Sequence, residues 1–150
     1  MTIRKRKWIV AGTIILLAGF ALYGYFQYQR TNQDLRDTRA DQTVDAATLI
    51  REFAGDDTLS DMKYRKRILA VRGIVKSVDT SNNAVSVILG DSVQSASIRI
   101  SMDTLDQEIS TIHKGMPVTI KGILNGYSKD ATGLLGDEIV FNRGVLVKQP

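Results

Sequence analysis

Residues 67–78 read RILAVRGIVKSV and form the longest predicted strand of the chain. The stretch is rich in β-branched side chains, which favour strands, and it is about twice as long as an average strand. Gly73 lies in its middle, and a glycine inside a strand is typical of a bulge or a sharp bend. The sequence therefore predicts one long, bent strand here.

Four shorter strands are predicted after it, at residues 84–90, 94–102, 117–126 and 137–147. The clearest is 94–102, where apolar residues such as Ile98 and Ile100 alternate with polar ones. This period of two indicates a strand with one buried face. A turn at residues 80–83 and a glycine-containing loop at residues 127–136 separate strands of the set.

Residues 103–112 have a helical apolar pattern, with Asp103 at the N-cap position. Upstream, residues 45–53 predict a short helix capped by Asp45, and residues 58–64 predict a second helical turn. The order of three strands, a helix and two strands matches a five-stranded, OB-type Greek-key barrel with a helix between strands 3 and 4. The predicted fold class is therefore mainly β.

The most apolar segment, residues 8–26, contains no charged side chain and follows the basic run Arg4–Lys7. As a helix it would span ~28 Å, close to the ~30 Å hydrocarbon core of a bilayer. Basic residues are retained on the cytoplasmic side, and a cleavable signal peptide, the alternative, would need small residues where Tyr23 and Tyr25 stand. We therefore predict a basic cytoplasmic tail (1–7), one transmembrane helix in the cytoplasmic (inner) membrane (8–28), a polar linker or helical stalk (29–44) and an extracytoplasmic OB-fold domain (45–150).

The basic excess of the chain lies at its N-terminus. The formal net charge is +4, but residues 1–28 hold four Lys or Arg and no acid, whereas residues 29–150 hold sixteen of each sign. The exported part is thus neutral, so it lacks the electrostatic footprint of a nucleic-acid binder. The absence of cysteine excludes disulfides and thiol catalysis.

Twelve positions in the two long strands and around them carry a family resemblance: Asp61, Tyr64, Arg67, Val71, Gly73, Val75, Lys114, Gly115, Val118, Ile120, Lys121 and Gly122. They resemble the tRNA-anticodon-like OB-fold family, whose members are often small exported bacterial proteins of unassigned role. The resemblance covers residues 46–147. The family pattern often has a cysteine in the third strand and another in the last, and this chain has neither. The family name refers to fold ancestry, so the resemblance does not imply tRNA binding.

OB barrels bind ligands on the outer face of strands two and three and at two adjoining loops. The residues predicted for that site are Ser86, Ser95, Ser97, Arg99, Tyr127 and Lys129. Single-stranded nucleic acid needs aromatic platforms and a basic groove, so this small polar face disfavours it as a partner. A second candidate is a basic patch, which would meet anionic lipid or an acidic polymer, or simply be a solvated surface with Tyr64 packed beneath it: Lys63, Arg65, Lys66 and Arg67.

No catalytic, metal or cofactor site is predicted. His113 is the single histidine and has no second histidine as a partner, and the acidic pairs Asp56–Asp57 and Asp137–Glu138 lack the pattern of a calcium loop. The first hypothesis is a non-enzymatic, membrane-anchored module that binds a protein or an envelope polymer. The alternatives are an OB barrel that binds single-stranded nucleic acid or oligosaccharide, and a haem chaperone of cytochrome c maturation. That chaperone family resembles this chain in outline but uses an HxxxY motif, and Pro117 stands where His113 would need tyrosine.

Overall fold

The computed structural model describes residues 3–31, 34–81, 84–91, 93–103 and 107–147, and within the first helix it describes the side chains of residues 12–28. The chain forms two compact units, Met1–Asp34 and Leu35–Pro150. All strands of the described residues belong to the second unit.

The first unit contains helix α1 (Ile3–Thr31). Its described side chains are exposed along the whole of residues 12–28, including Ile15 and Phe20 at about 70%. Among the described residues, no helix has the length and apolar character needed to cross a membrane. The side chains of the predicted basic tail (1–7) and of residues 8–11 lie outside the described set, so the anchor stays a prediction.

The second unit is mainly β. In chain order its elements are β1 (Gln42–Asp45), α2 (Ala46–Gly55), α3 (Asp57–Tyr64), β2 (Ile68–Ser81), β3 (Ala84–Leu89), β4 (Ser97–Met102), a 3-10 helix (Gln107–Thr111), β5 (Pro117–Ser128) and β6 (Glu138–Leu146). Within the described residues these strands form one six-stranded sheet in the order β1-β2-β3-β4-β6-β5. A further pairing of β2 with β5 joins the five longer strands in a circuit.

The long first strand of the prediction is confirmed as β2. Its N-terminal half pairs with β5 and its C-terminal half with β3, so one strand serves two neighbours. The irregularity expected at Gly73 lies instead between Val75 and Ser77. Gly73 has another role, because a Cβ there would come within 2.8 Å of the Cβ of Ala46. The glycine lets α2 pack closely against the strand.

Strand β1 was not predicted. It lies at the end of the segment predicted as linker or stalk (29–44) and pairs in parallel with β2. Val44 is its one buried residue, and Leu35 upstream is buried too. Lys121 Nζ donates hydrogen bonds to the carbonyl oxygens of Arg36 (3.0 Å) and Thr38 (2.6 Å), which ties this segment to β5.

Several element boundaries differ from the prediction. Thr80 and Ser81 continue β2 instead of forming a turn, and the rest of that turn, residues 82–83, lies outside the described residues. Tyr127 and Ser128 belong to β5, so the loop predicted at 127–136 begins later. The third predicted strand begins at Ser97 instead of 94. The predicted helix 103–112 is a short 3-10 helix at its C-terminal end, and residues 104–106 lie outside the described set.

The core lies between the strand circuit and α2. The apolar stripe predicted for α2 is confirmed, because Ala46, Leu49, Ile50 and Phe53 are all buried. Asp45 stands at the N-cap position but makes no side-chain cap hydrogen bond, contrary to the prediction. The largest fully buried side chains opposite this helix come from all the long strands: Leu69, Leu89, Ile98, Ile100, Ile120, Leu124 and Phe141.

Candidate functional site

A polar groove of about 470 Å³ lies where the outer face of β4 meets the segment that joins β5 to β6. Its cations, hydroxyls and acids include Lys76, Ser95, Ser97, Arg99, Lys129 and Glu138. Ligand sites of OB folds occupy this position. We call these residues the polar groove.

Four of the six predicted site residues line this groove, namely Ser95, Ser97, Arg99 and Lys129. Ser86 does not line it, because it lies two residues along β3 from Ile88, the residue of that strand that lines the groove, and pairs with Ser101, which does not line it. Tyr127 does not line it either.

The ring of Tyr127 faces the core. It stacks at a tilt on Phe53 of α2, with 5.2 Å between ring centroids. Its hydroxyl donates a 2.5 Å hydrogen bond to Asp137 Oδ2. Burial, and next this hydrogen bond, raise the pKa of Tyr127 above its usual range. Tyr127 therefore connects the core to the β5–β6 loop. The sequence predicted that it contacts a ligand in the groove, which its side chain does not line.

Arg99 is held in place by two carboxylates. Its Nε donates to Glu138 Oε1 at 2.8 Å and its Nη1 to Asp79 Oδ2 at 3.4 Å. The parallel pairing of β4 with β6 places residue 97 opposite residue 138, which brings Glu138 beside Arg99. The guanidinium keeps further N–H donors for a ligand, in a fixed orientation.

The lysines of the polar groove are less constrained. Lys76 Nζ donates to the carbonyl oxygen of Gln94 at 2.7 Å. Neither Lys76 nor Lys129 forms an ion pair within the part of the chain that the structure describes. Their charges are thus available to an anionic group.

The β5–β6 loop, residues 129–137, is built around Asp130. Its Oδ1 accepts from the backbone N–H and the hydroxyl of Thr132, at 2.9 and 2.6 Å. Its Oδ2 accepts from the backbone N–H groups of Leu135 (2.6 Å) and Gly136 (2.9 Å). These donors, with the Thr132 side chain first, hold the pKa of Asp130 well below its usual range. The loop is therefore ordered before any ligand arrives.

Asp137 closes the same loop. Its Oδ1 accepts from the backbone N–H of Asp130 at 3.0 Å, and its Oδ2 accepts from Tyr127. The Tyr127 hydrogen bond is the main cause of a lowered pKa at Asp137. Sequence reasoning missed both carboxylates, although an Asp with a Thr two residues later is a known turn signal.

Acidification is expected to loosen this loop. Both carboxyls have a lowered pKa in the fold, so their contribution to stability is complete well above pH 3.8 and is lost as pH falls from about 5 through the folded pKa values. We expect the urea midpoint of the wild-type chain to drop more steeply between pH 5 and pH 3 than that of Asp130→Asn. Far-UV circular dichroism in urea measures the midpoint of each protein as a function of pH. Parallel pH profiles would contradict the stabilising role of the ionised Asp130.

The predicted basic patch is partly compensated. Lys63 pairs with Glu52 at 3.0 Å and Arg65 with Asp61 at 2.5 Å. Lys63 Nζ also lies 4.5 Å from the ring centroid of Tyr64, which is 1% exposed. The other two members of the patch, Lys66 and Arg67, are exposed.

A second cavity, which sequence reasoning missed, lies where α2 packs on β2. We call it the apolar pocket; its volume is about 420 Å³. Aliphatic side chains from both elements form its walls, and basic ones lie around them: Ala46, Ala47, Ile50, Ile74, Val75, Arg72, Lys76 and Lys114. The pocket forms only because α2 packs on β2, and this contact cannot be read from the sequence of either element alone.

Within the described residues, no group of three or more acids and histidines could hold a metal ion. His113 is exposed, and its Nδ1 lies 3.0 Å from the carbonyl oxygen of Thr111.

The chain was compared with known proteins. The sequence profile of the family described as tRNA_anti-like matches residues 1–139. No curated protein matches the chain significantly. A crystal structure from Klebsiella pneumoniae, described as a "putative nucleic acid-binding lipoprotein", is similar with a TM-score of 0.56 and 16% identity, over 71% of this chain and 92% of that one. A "putative aspartyl-tRNA synthetase" of Leishmania major has a TM-score of 0.44 and 11% identity, over 76% of this chain and 22% of the enzyme.

Proposed function

This chain belongs to the tRNA_anti-like family, and we propose that it is a non-enzymatic OB-fold binding module, anchored in the cytoplasmic membrane and exposed on its outer side. In this proposal the five longer strands act as an OB barrel. The ligand is a segment of a protein or an envelope polymer that lies along the polar groove.

The observation that carries the proposal is the position and construction of the polar groove. It lies at the OB ligand position, and the hydrogen bonds of Asp130 order its loop in advance. A preordered site loses less conformational entropy on binding. The groove offers hydroxyls, the oriented guanidinium of Arg99 and two lysines, which suit a polar ligand.

The anchor rests on the N-terminal sequence. Residues 8–26 contain no charged side chain and as a helix would span ~28 Å, close to the ~30 Å hydrocarbon core of a bilayer, and the basic run before them favours a cytoplasmic N-terminus. Because this run holds the positive excess, the module outside the membrane carries no net charge.

Nucleic acid is the second candidate. The comparisons do not support the sequence prediction that disfavours it, since one protein of similar fold is described as a "putative nucleic acid-binding lipoprotein". Lys76 and Lys129 form no ion pair within the described residues, so their charges can meet phosphates. Against this candidate, no aromatic ring is among the described residues that line the groove, and base stacking is worth ~1–3 kcal/mol per base.

Photo-cross-linking tests the proposal. The full chain is produced in bacteria with benzoylphenylalanine in place of Ser97, and Ser101 on the same strand and face but outside the groove is the matched control position. We expect an adduct at position 97 and none at position 101. Sensitivity of the adduct to nuclease or muramidase then identifies a nucleic acid or a glycan, and peptides of a second protein in its mass spectrum identify a polypeptide.

Equal adducts at both positions, or none at position 97, would overturn the proposal. The nucleic-acid candidate has its own measurement, the fluorescence anisotropy of a labelled oligo(dT) 20-mer at 50 and 200 mM salt. Phosphate-driven binding weakens steeply with salt. A flat titration at 50 mM salt removes that candidate.

A further inference from the structure

The polar groove and the apolar pocket are neighbours that share one residue, Lys76. The Lys76 ammonium is held by the Gln94 carbonyl at 2.7 Å, so the boundary between the two cavities has a defined position. The two cavities therefore adjoin at Lys76 and differ in chemistry, so an extended ligand that crosses this residue contacts both.

The apolar pocket is suited to an aliphatic side chain. Ile50 forms its buried wall, and Ile74, which is 57% exposed, forms its outer wall. Leu135, 86% exposed, offers a second aliphatic contact at the far side of the polar groove. A partner that covers Ile74 and Leu135 removes both side chains from water, at ~25 cal/mol for each Å² of apolar surface.

The charges of the surface favour an acidic partner. Four basic side chains along the two cavities form no ion pair within the described residues, namely Arg72, Lys76, Lys114 and Lys129. Glu138 pairs with Arg99, whereas Asp130 keeps its negative charge although it accepts four hydrogen bonds from neutral donors. With Asp45 and Asp91, three carboxylates thus stand against these four cations, so positive charge exceeds negative charge by one.

We infer that the ligand is an extended acidic protein segment, which lays carboxylates along Lys129 and Lys76 and inserts an aliphatic side chain into the apolar pocket. The inference rests on the proposed function and narrows it to one class of ligand. Of the polymers considered, a polypeptide is the one that combines carboxylates with uncharged aliphatic side chains larger than a methyl group. Nucleic acids and glycan chains offer no larger alkyl group for Ile50 and Ile74 to bury, and among the described lining residues neither cavity presents a ring on which a base or a sugar would stack.

The test begins with the full chain in lipid nanodiscs and a phage library of random 12-residue peptides. We expect the selected peptides to share an aliphatic residue and at least two Asp or Glu residues. A synthetic peptide of that consensus is then titrated by fluorescence anisotropy. The same peptide with its acids replaced by Lys is the negative control.

The decisive variant is Ala47→Phe, which fills the apolar pocket from an exposed position of α2, and its matched control is Ala54→Phe on the same helix, outside both cavities. We expect Ala47→Phe to weaken the peptide about tenfold or more, since it displaces one buried aliphatic side chain, and Ala54→Phe to change affinity less than about twofold. Ile74→Asn, which replaces the outer wall without touching the core, should reproduce the loss. Circular dichroism checks that each variant folds.

A library that yields no such consensus, or a peptide whose affinity is equal for Ala47→Phe and wild type, would overturn the inference. The cross-link at position 97 distinguishes a failure of the acidic-peptide inference from a failure of the proposed binding function. A nuclease-sensitive or muramidase-sensitive adduct leaves the polar groove as a binding site and refutes the acidic peptide. No adduct at position 97 refutes both.

Discussion

Replacing Gly136 with alanine is expected to lower the free energy of unfolding by about 2–4 kcal/mol and to detach the loop 129–137 from the sheet. Gly136 has φ of +83°, and a Cβ built on it overlaps the backbone carbonyl of Ser95. Backbone atoms cannot rotate away as a flexible side chain would. The loop must therefore move, and the hydrogen bonds from residues 135 and 136 to Asp130 would break.

The matched control is Gly133→Ala in the same loop. Gly133 also has a positive φ, +70°, but no atom lies within 4 Å of its Cβ position. Gly133→Ala is therefore expected to lower the free energy of unfolding only by the cost of a positive φ in alanine, about 1–2 kcal/mol. Urea unfolding of the full chain gives both free energies, and hydrogen exchange of the residue 136 amide reports the loop directly. Equal effects of the two variants would show that the close approach to Ser95 does not matter.

A loop displaced in this way should also lose its ligand. Lys129 and Leu135 lie on the loop, whereas Ser97 and Arg99 lie on β4, so the polar groove exists only while the two are packed together. We therefore expect the cross-link at position 97 to disappear in Gly136→Ala and to persist in Gly133→Ala.

The strands could be predicted because the residue pattern within each segment is enough to identify it as a strand. The alternation of Ile98 and Ile100 with serine and arginine fixes which face of β4 is buried, and this alone places Ser97 and Arg99 on the outer face. The length of β2 and the glycine within it predicted one long, bent strand, whereas its pairing with two neighbours, β3 and β5, is seen in the structure alone. The family resemblance added the OB fold to this reading.

The parts that could not be predicted depend on distant contacts. Strand β1 has a single buried residue, Val44, and is stabilised by parallel pairing with a strand about 27 positions later. Tyr127 looked like a loop residue, because nothing next to it in sequence indicates that its ring reaches Phe53. Ser86 shares the outer face with Ser97, but the groove reaches β3 only at Ile88, two residues away, and this limit depends on where the β5–β6 loop packs.

Phe53 of α2 is a side chain whose removal should disturb both the core and the β5–β6 loop. Phe53 is 2% exposed and stacks on Tyr127, which in turn holds Asp137 of the loop. Phe53→Ala is expected to lower the free energy of unfolding by about 3–5 kcal/mol, because it removes a buried ring and leaves a cavity. Leu59→Ala on α3 is the control for truncation of an apolar side chain. Leu59 is 64% exposed, so its loss should stay within about 0.5 kcal/mol.

Phe53→Ala also tests whether both cavities depend on one packing contact. Phe53 anchors the helix whose Ala47 and Ile50 line the apolar pocket, and through Tyr127 it supports the loop of the polar groove. Under conditions where the variant is still folded, we expect the acidic peptide to bind more weakly and hydrogen exchange at Gly136 to be faster than in wild type. A loss of stability below about 1 kcal/mol, with both local readouts unchanged, would show that α2 is an appendage of the sheet and that the apolar pocket is not a fixed part of the molecule.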